Sequence, residues 1–218
     1  MVNFIKTNAE DFAPLVDEQD APLDELTVIG SWRNKANVKQ RKVLGFSMRG
    51  RARKNDLDLT AINLNARGQV ISACSVEDID PERGAEVHAG DDDGSGAASQ
   101  EEIKLHLSRL SGQIQAVAFT LTSFTGTGFD NLNGCGFELY VGNTLAVEVR
   151  VPISERGRNA ALLALVRRTV ADPARWEIIE SATQLVTIDP HFEGNRDSAV
   201  NWQDLTGQLA PLTRRAFN

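Results

Sequence analysis

An acidic, glycine-rich stretch of the sequence, HAGDDDGSGAASQEE at residues 88–102, contains the side chains with the clearest chemical potential. Its carboxylates are those of Asp91, Asp92, Asp93, Glu101 and Glu102, and no Lys or Arg interrupts them. Ca²⁺ binds about six to eight oxygen atoms from carboxylates, carbonyls and water in a flexible geometry, and glycines let a loop turn its carbonyls inward. The stretch therefore predicts either a calcium site or a loop whose charges are simply solvated.

A second acidic pair, Asp56 and Asp58, lies in the segment KNDLDLTAINL. Side chains two residues apart point to the same face of a β-strand. Two neighbouring carboxylates repel each other unless that face is wet or binds a metal, and Arg53 and Lys54 are alternative ionic partners. The pair is a candidate metal site, with a solvated strand face as the alternative.

Residues suited to catalysis are scattered along the chain. The three histidines, His88, His106 and His191, lie far apart in sequence, and no nucleophile elbow, phosphate-binding loop or HExxH motif is present. His88 adjoins the acidic stretch and is suited to orienting it, whereas His106 is expected to be a packing or surface residue. We therefore expect no enzymatic activity.

Short segments of alternating apolar and polar residues surround these motifs. The alternation is clearest in QAVAFTLT, GFELYV and NTLAVEVRV, and further candidate strands are KVLGFSM, LTAINL and RWEIIESA. Turn-forming sequences such as DPERG and VGN separate them, and TGTGFDNLNGCG is interpreted as a loop between strands. The pattern predicts an all-β fold, a β-sandwich of two packed, mainly antiparallel sheets. One segment, NAALLALVRRTV (159–170), conflicts with it, because its Ala and Leu content alone predicts a helix.

Charge is segregated along the chain, whose net charge is −7. Residues 8–32 contain seven acids and no base, and residues 33–54 contain nine bases and no acid. We interpret residues 1–40 as an N-terminal arm, 41–186 as the sandwich domain and 187–218 as a C-terminal extension. The arm is suited to docking on a partner protein or on a second copy of the chain.

The composition favours some kinds of binding partner and one cellular compartment over others. The negative net charge disfavours a nucleic-acid-binding role, although the basic block 33–54 is suited to contacts with phosphate or anionic lipid. No apolar run reaches the length of a membrane span, and MVNFIKTNAEDF lacks the apolar core of a secretory signal. With only two cysteines, Cys74 and Cys135, reduced thiols in the cytoplasm are expected.

The order of the motifs resembles that of the TerD family of tellurium-resistance and general stress proteins. The matching motifs are, in order, VLGFSM, NDLDLTAINL, GAEVHAGDDDGSG, EEIKLHLSRL, IQAVAFTLTSF, GFDNLNGCGFELYV, and ALLALVRR followed by RWEII. The resemblance covers roughly residues 43–186. It implies a calcium-binding β-sandwich without a known enzymatic reaction, and a strand rather than a helix at 159–170.

Carried over residue by residue, the resemblance assigns Asp56 and Asp58 to the family's D-x-D pair, and Gly90 and Asp91 to the start of its acidic loop. The further candidate ligands are Asp92, Asp93, Glu101 and Glu102. The family loop usually ends in an Asp-Asp-Glu cluster, whereas this chain has SQEE there. This departure leaves the number of calcium sites open.

The resemblance further implies a role in stress or resistance complexes, including membrane-linked ones, in the cytoplasm or at the inner membrane. A homo-oligomer formed through the N-terminal arm is also expected. Two alternatives stay open. One is a metal-free interaction or scaffold module on the same fold, and the other is a protein that contacts lipid or nucleic acid through residues 33–54. Nucleic-acid binding by the full chain is not expected.

Overall fold

The structure is a computed structural model that describes residues 12–35, 55–96, 98–123, 127–179 and 184–186. Within these ranges the chain forms strands joined by turns, with single-turn 3-10 helices at Leu107–Arg109 and Phe129–Asn131. The strands make two antiparallel sheets that pack face to face around an apolar core. The predicted all-β sandwich is confirmed.

One sheet has seven strands in the described part of the chain. Along it lie, in spatial order, β1 (Phe12–Pro14), β11 (Trp176–Ile179), β10 (Ala160–Arg168), β7 (Ala116–Ser123), β3 (Leu57–Leu64) and β4 (Val70–Cys74), and β12 (Gln184–Val186) also pairs with β10. Strand β3 carries Asp58 opposite Thr122 of β7. This sheet therefore positions the D-x-D pair at the start of β3.

The other sheet has five strands. Their spatial order is β5 (Glu86–His88), β6 (Ser99–His106), β2 (Glu25–Asn34), β8 (Leu132–Val141) and β9 (Thr144–Arg150). The acidic stretch connects β5 to β6, so both of its ends are anchored in this sheet. Glu101 lies on β6, opposite Gly30 of β2.

Alternation along the strands builds the core between the sheets. On β7, Val117, Phe119 and Leu121 are fully buried and face the other sheet. The rings of Phe119 and of Phe137 on β8 lie 6.2 Å apart across the interface. Burial of apolar side chains from both sheets is the main stabilising contribution to a sandwich of this kind.

The segment with helical propensity is a strand, as the resemblance implied. Its residues pair with β7 on one side and with β11 on the other, so β10 is an interior strand. All seven residues from Ala160 to Val166 are buried, on both faces of the sheet. A strand buried on both faces has a continuous apolar run, which sequence periodicity cannot distinguish from a buried helix. Tertiary pairing therefore overrides the local propensity.

The interpretation of residues 1–40 as an arm outside the sandwich is wrong for residues 12–34. Strand β2 lies inside the five-stranded sheet, between β6 and β8, and β1 pairs with β11. Leu26, Val28 and Trp32 alternate with more exposed residues and are buried. The high acid content of this region concealed a short period-two pattern, which is the stronger signal for a strand.

Other differences concern short strands. Strands β4, β5 and β6 were not predicted, and the second half of the segment interpreted as the loop TGTGFDNLNGCG belongs to β8. The candidate strand KVLGFSM and the proposed extension at 187–218 lie outside the described residues. Strands β4 and β5 are short and carry little sequence signal, whereas β6 has eight residues that alternate regularly between buried and more exposed positions, so its length does not explain why it was missed.

Candidate metal site

Three carboxylates converge from two sheets and one loop. Asp58 lies on β3, Glu101 on β6, and Asp91 in the acidic loop between β5 and β6. One oxygen atom of each lies within 4.8 Å of the others. Glu101 is buried, Asp58 is half-buried and Asp91 is exposed, so the cluster opens to solvent on the loop side.

Strand alternation turns Glu101 inward. On β6, Ser99, Glu101 and Ile103 are buried, while the residues between them are more exposed. The Oε2 atom of Glu101 accepts a hydrogen bond from the backbone N–H of Leu59 at 2.7 Å, and Oε1 accepts one from Asp92 N–H at 3.3 Å. Glu101 therefore connects the start of β3 to the acidic loop.

His88 supports this arrangement from β5, in agreement with the orienting role expected for it. It is buried, and its Nδ1 accepts a hydrogen bond from the backbone N–H of Gly90 at 3.0 Å. Its Nε2 lies 3.4 Å from Glu101 Oε2. This Nε2 has no hydrogen-bond partner among the described residues. The imidazole thus contacts both the first turn of the acidic loop and the buried carboxylate.

Burial and mutual repulsion raise the pKa values of the D-x-D pair. Burial, followed by the charges of Glu101, Asp56, Asp91 and Glu77, raises the pKa of Asp58 to about 8. Burial and four neighbouring carboxylates, of which Asp91 has the largest influence, raise the pKa of Asp56 to about 6. None of these contributions comes from a basic side chain in the described ranges. Such a cluster is stabilised by a proton or by a metal cation.

Asp56 lies outside the group of three converging oxygens but feels the charges of Asp91 and Glu101. Its Oδ1 is buried and has no hydrogen-bond partner among the described residues. An unpartnered buried carboxylate oxygen is costly, because the charged form loses its hydration. The atom is available as a ligand.

The remaining predicted ligands have other partners. Asp92 accepts hydrogen bonds from the N–H groups of Gly94 and Gln100, both at 3.1 Å, and Asp93 accepts one from Ser95 N–H at 2.8 Å. These contacts shape the loop itself. Glu102 points to the face of β6 opposite Glu101, where it lies 3.4 Å from Lys104 Nζ. The seven predicted ligands therefore divide into three that converge, one beside them (Asp56), two that shape the loop and one that lies apart.

Three residues near the cluster were not predicted. Glu77 adds to the negative potential at Asp58, and Asn34 and Asn55 form hydrogen bonds beside the acidic loop. Asn34 is separated from Gly94 by 60 residues, and no sequence pattern connects them. Of the three, only Glu77 carried a signal, since it lies in the acidic segment EDIDPE.

The donor set fits a hard divalent cation. The three converging side chains offer only carboxylate oxygens, which suit Ca²⁺ and Mg²⁺ rather than zinc or copper. The exposed side at Asp91 leaves room for water molecules to complete a coordination sphere. This geometry does not test the expectation that the protein has no enzymatic activity.

Other features bear on the remaining expectations. No helix in the described part of the chain is long and apolar enough to cross a membrane. Both cysteines, Cys74 and Cys135, are buried free thiols, and burial raises the pKa of each. Most of the basic block 33–54 lies outside the described residues.

Comparison with known proteins finds a curated relative of similar sequence. Tellurium resistance protein TerZ of Serratia marcescens is 30% identical to this chain over 129 residues, which are 58% of this chain and 65% of TerZ. The chain thus spans just under two thirds of the length of the curated relative it matches. No family model matches the chain.

Two solved structures share the fold. One is a protein of unknown function, with a TM-score of 0.62 and 17% identity over 78% of this chain and 94% of its own. The other is a homologue of telluride resistance protein (TerD) from Streptomyces coelicolor A3(2), with a TM-score of 0.61 and 19% identity over 80% of this chain and 98% of its own. This chain is therefore similar in sequence to TerZ over 129 residues, and it shares its fold with the two solved structures.

Proposed function

We propose that this protein is a non-enzymatic, calcium-binding member of a tellurite-resistance or stress response. The observation that carries the proposal is the convergence of Asp58, Asp91 and Glu101 from both sheets and the acidic loop, where no Lys or Arg of the described residues forms an ion pair with them. The buried Oδ1 of Asp56, which has no hydrogen-bond partner among the described residues, adds to the unbalanced negative charge beside this group. The name of the relative TerZ supports the resistance role.

Calcium is preferred to magnesium for a geometric reason. Ca²⁺ lies about 2.3–2.6 Å from its ligands, so two oxygens on opposite sides of the ion are about 4.6–5.2 Å apart. Oxygens that lie within 4.8 Å of one another can therefore share one calcium ion. Mg²⁺ requires shorter bonds of about 2.0–2.1 Å in a near-octahedral arrangement and gives up its water reluctantly. The irregular, partly open cluster suits the larger ion.

A calcium titration followed by thermal unfolding tests the proposal. Binding to the folded state alone should raise the melting temperature of the wild type, and Mg²⁺ should raise it less. Asp58→Asn and Asp91→Asn should each abolish most of the calcium-induced shift. Glu102→Gln is the matched control, because Glu102 is adjacent in sequence to Glu101 but lies on the other face of β6. A melting curve that millimolar Ca²⁺ leaves unchanged would refute calcium binding.

We further propose that the protein acts through protein complexes in the cytoplasm, some of them at the inner membrane. The two free, buried thiols support a reducing compartment. The net charge of −7 argues against nucleic acid as the partner. Self-association through the N-terminal arm stays a prediction. It concerns the residues of the arm that lie outside the described range 12–35.

A further inference from the structure

The last residue of β2, Asn34, joins three segments beside the carboxylate cluster. Its Nδ2 donates hydrogen bonds to the carbonyl oxygens of Asn55, at 3.0 Å, and of Gly94, at 3.1 Å. Its Oδ1 accepts a hydrogen bond from the backbone N–H of Asn55 at 2.9 Å. One side-chain amide therefore connects the end of β2, the residue before Asp56 and the acidic loop.

The acidic loop is in direct contact with Asn55 at Gly94. Gly94 has a φ of +67°, and a Cβ at this position would collide with the carbonyl oxygen of Asn55. The same carbonyl oxygen accepts a hydrogen bond from Trp32 Nε1 at 3.2 Å. The loop thus has no room to move closer to Asn55, and the Asn34 amide opposes its moving away.

These contacts lie next to the candidate ligands along the chain. Asp56 and Asp58 follow Asn55, and Asp91 precedes Gly94 by three residues. We propose that Asn34 is a positioning residue, which does not contact the cation but sets the separation between Asp58 and Asp91 and thereby the cation affinity. The part that concerns affinity rests on the calcium function proposed above.

Asn34→Ala tests this role, because it removes all three hydrogen bonds and leaves every carboxylate in place. Asn65→Ala is the matched control. Asn65 also makes three side-chain hydrogen bonds, with Arg67 and Gln69, in the turn that follows the far end of β3. Isothermal titration calorimetry gives the calcium Kd of each protein, and amide hydrogen exchange in EGTA reports opening of the metal-free acidic loop.

We expect Asn34→Ala to weaken calcium binding by about tenfold or more, as is typical when a group that orients metal ligands is removed. Exchange at the amide of Gly94 should become faster in the same variant. Asn65→Ala should lower the melting temperature without changing either the Kd or the exchange at Gly94. A role limited to general stability would make the two variants alike in all three measurements.

Gly94→Ala gives a second test that does not depend on the folding of Asn34→Ala. The added methyl group forces the loop away from Asn55 and should also weaken calcium binding. An unchanged Kd in both variants, with a wild type that binds calcium, would overturn the inference. If the wild type binds no calcium, the proposed function and the affinity part both fail. Unchanged loop exchange in Asn34→Ala would then remove the positioning role as well, whereas faster exchange would support it.

Discussion

Asp58 and Glu86 are two buried carboxyl groups with similarly raised pKa values and opposite surroundings. Burial is the first cause in both cases, and the pKa of each is raised to about 8. Asp58 faces other carboxylates at an open edge of the sandwich. Glu86 lies on β5, is fully buried, and faces the side-chain amide of Asn63 on β3.

The surroundings of Glu86 form a polar network inside the core. Its Oε2 accepts a hydrogen bond from Asn63 Nδ2 at 2.7 Å, and the same Nδ2 donates to Ser72 Oγ at 3.0 Å. Ser72 Oγ donates in turn to Glu82 Oε1 at 2.9 Å. Glu86 Oε1 and Asn63 Oδ1 have no hydrogen-bond partner among the described residues. Both are acceptors, so a proton on Glu86 supplies the donor that the pair lacks.

The comparison shows two ways to neutralise a buried carboxyl group. At Asp58 several carboxylates share an opening to water, which suits a divalent cation with its own water ligands. At Glu86 the site is closed and contains an amide, which suits a neutral carboxylic acid. The number of neighbouring acids and the access of water therefore distinguish the candidate metal site at Asp58 from the closed pair of Glu86 and Asn63.

The largest expected effect is a pH dependence of calcium affinity. Because the pKa of metal-free Asp58 is about 8, calcium must displace a proton at lower pH. The Kd should rise as the pH falls, by up to about tenfold per pH unit below the pKa. Titration calorimetry at pH 6, 7 and 8 measures it. A Kd that does not change over this range would mean that Asp58 is ionised without the metal, and the contrast with Glu86 would be lost.

A second prediction concerns the pH dependence of folding. Glu86 has a folded pKa of about 8 and an ordinary value of 4.5, so between these values the folded protein keeps a proton that the unfolded chain releases. Its stabilising contribution is complete below 4.5 and is lost as the pH rises towards 8, by about 1 kcal/mol per pH unit. Glu86→Gln keeps the amide pairing but cannot titrate, so its free energy of unfolding should fall less between pH 6 and 8.

Urea unfolding of the wild type and of Glu86→Gln between pH 6 and 8 measures how the free energy of unfolding changes in each. Titration of Asp58 does not obscure the comparison, because it occurs in both proteins. Glu82 contributes repulsion at Glu86, and the Asn63 hydrogen bond opposes it. Parallel pH profiles for wild type and Glu86→Gln would show that Glu86 is already ionised in the folded protein.

The smallest effect is expected from removing the acceptor of Asn63. Glu86→Leu leaves the buried Asn63 amide short of a partner and should lower the free energy of unfolding by on the order of 1 kcal/mol. The double variant Glu86→Leu with Asn63→Leu removes both partners and should recover much of the loss. Denaturant unfolding of the two variants provides the test. Asn63→Leu alone completes the comparison, and a loss of stability in the double variant larger than the sum of the two single losses would contradict a favourable contact between Glu86 and Asn63.

Alternation and turn residues predicted the sandwich, and the acidic stretch and the D-x-D pair located one side of the candidate site. They could not decide between Glu101 and Glu102, because that choice depends on which face of β6 meets the other sheet. A shift of β6 by one residue relative to its neighbours would turn both side chains to the opposite faces of the sheet. The segment of β2 was misread for a different reason, because the many acids of residues 8–32 hid the short alternation of Leu26, Val28 and Trp32.

The sequence by itself determined the fold class, the presence of a glycine-rich acidic loop and its neighbour His88, since these depend on local pattern and composition. Only the tertiary structure decided which carboxylates meet, that residues 160–168 form an interior strand, and that Asn34 contacts Gly94. It also decided that Glu86 faces Asn63. The physical reason is that these features depend on contacts between segments far apart in sequence, where side-chain direction and burial are set by the packing of two sheets.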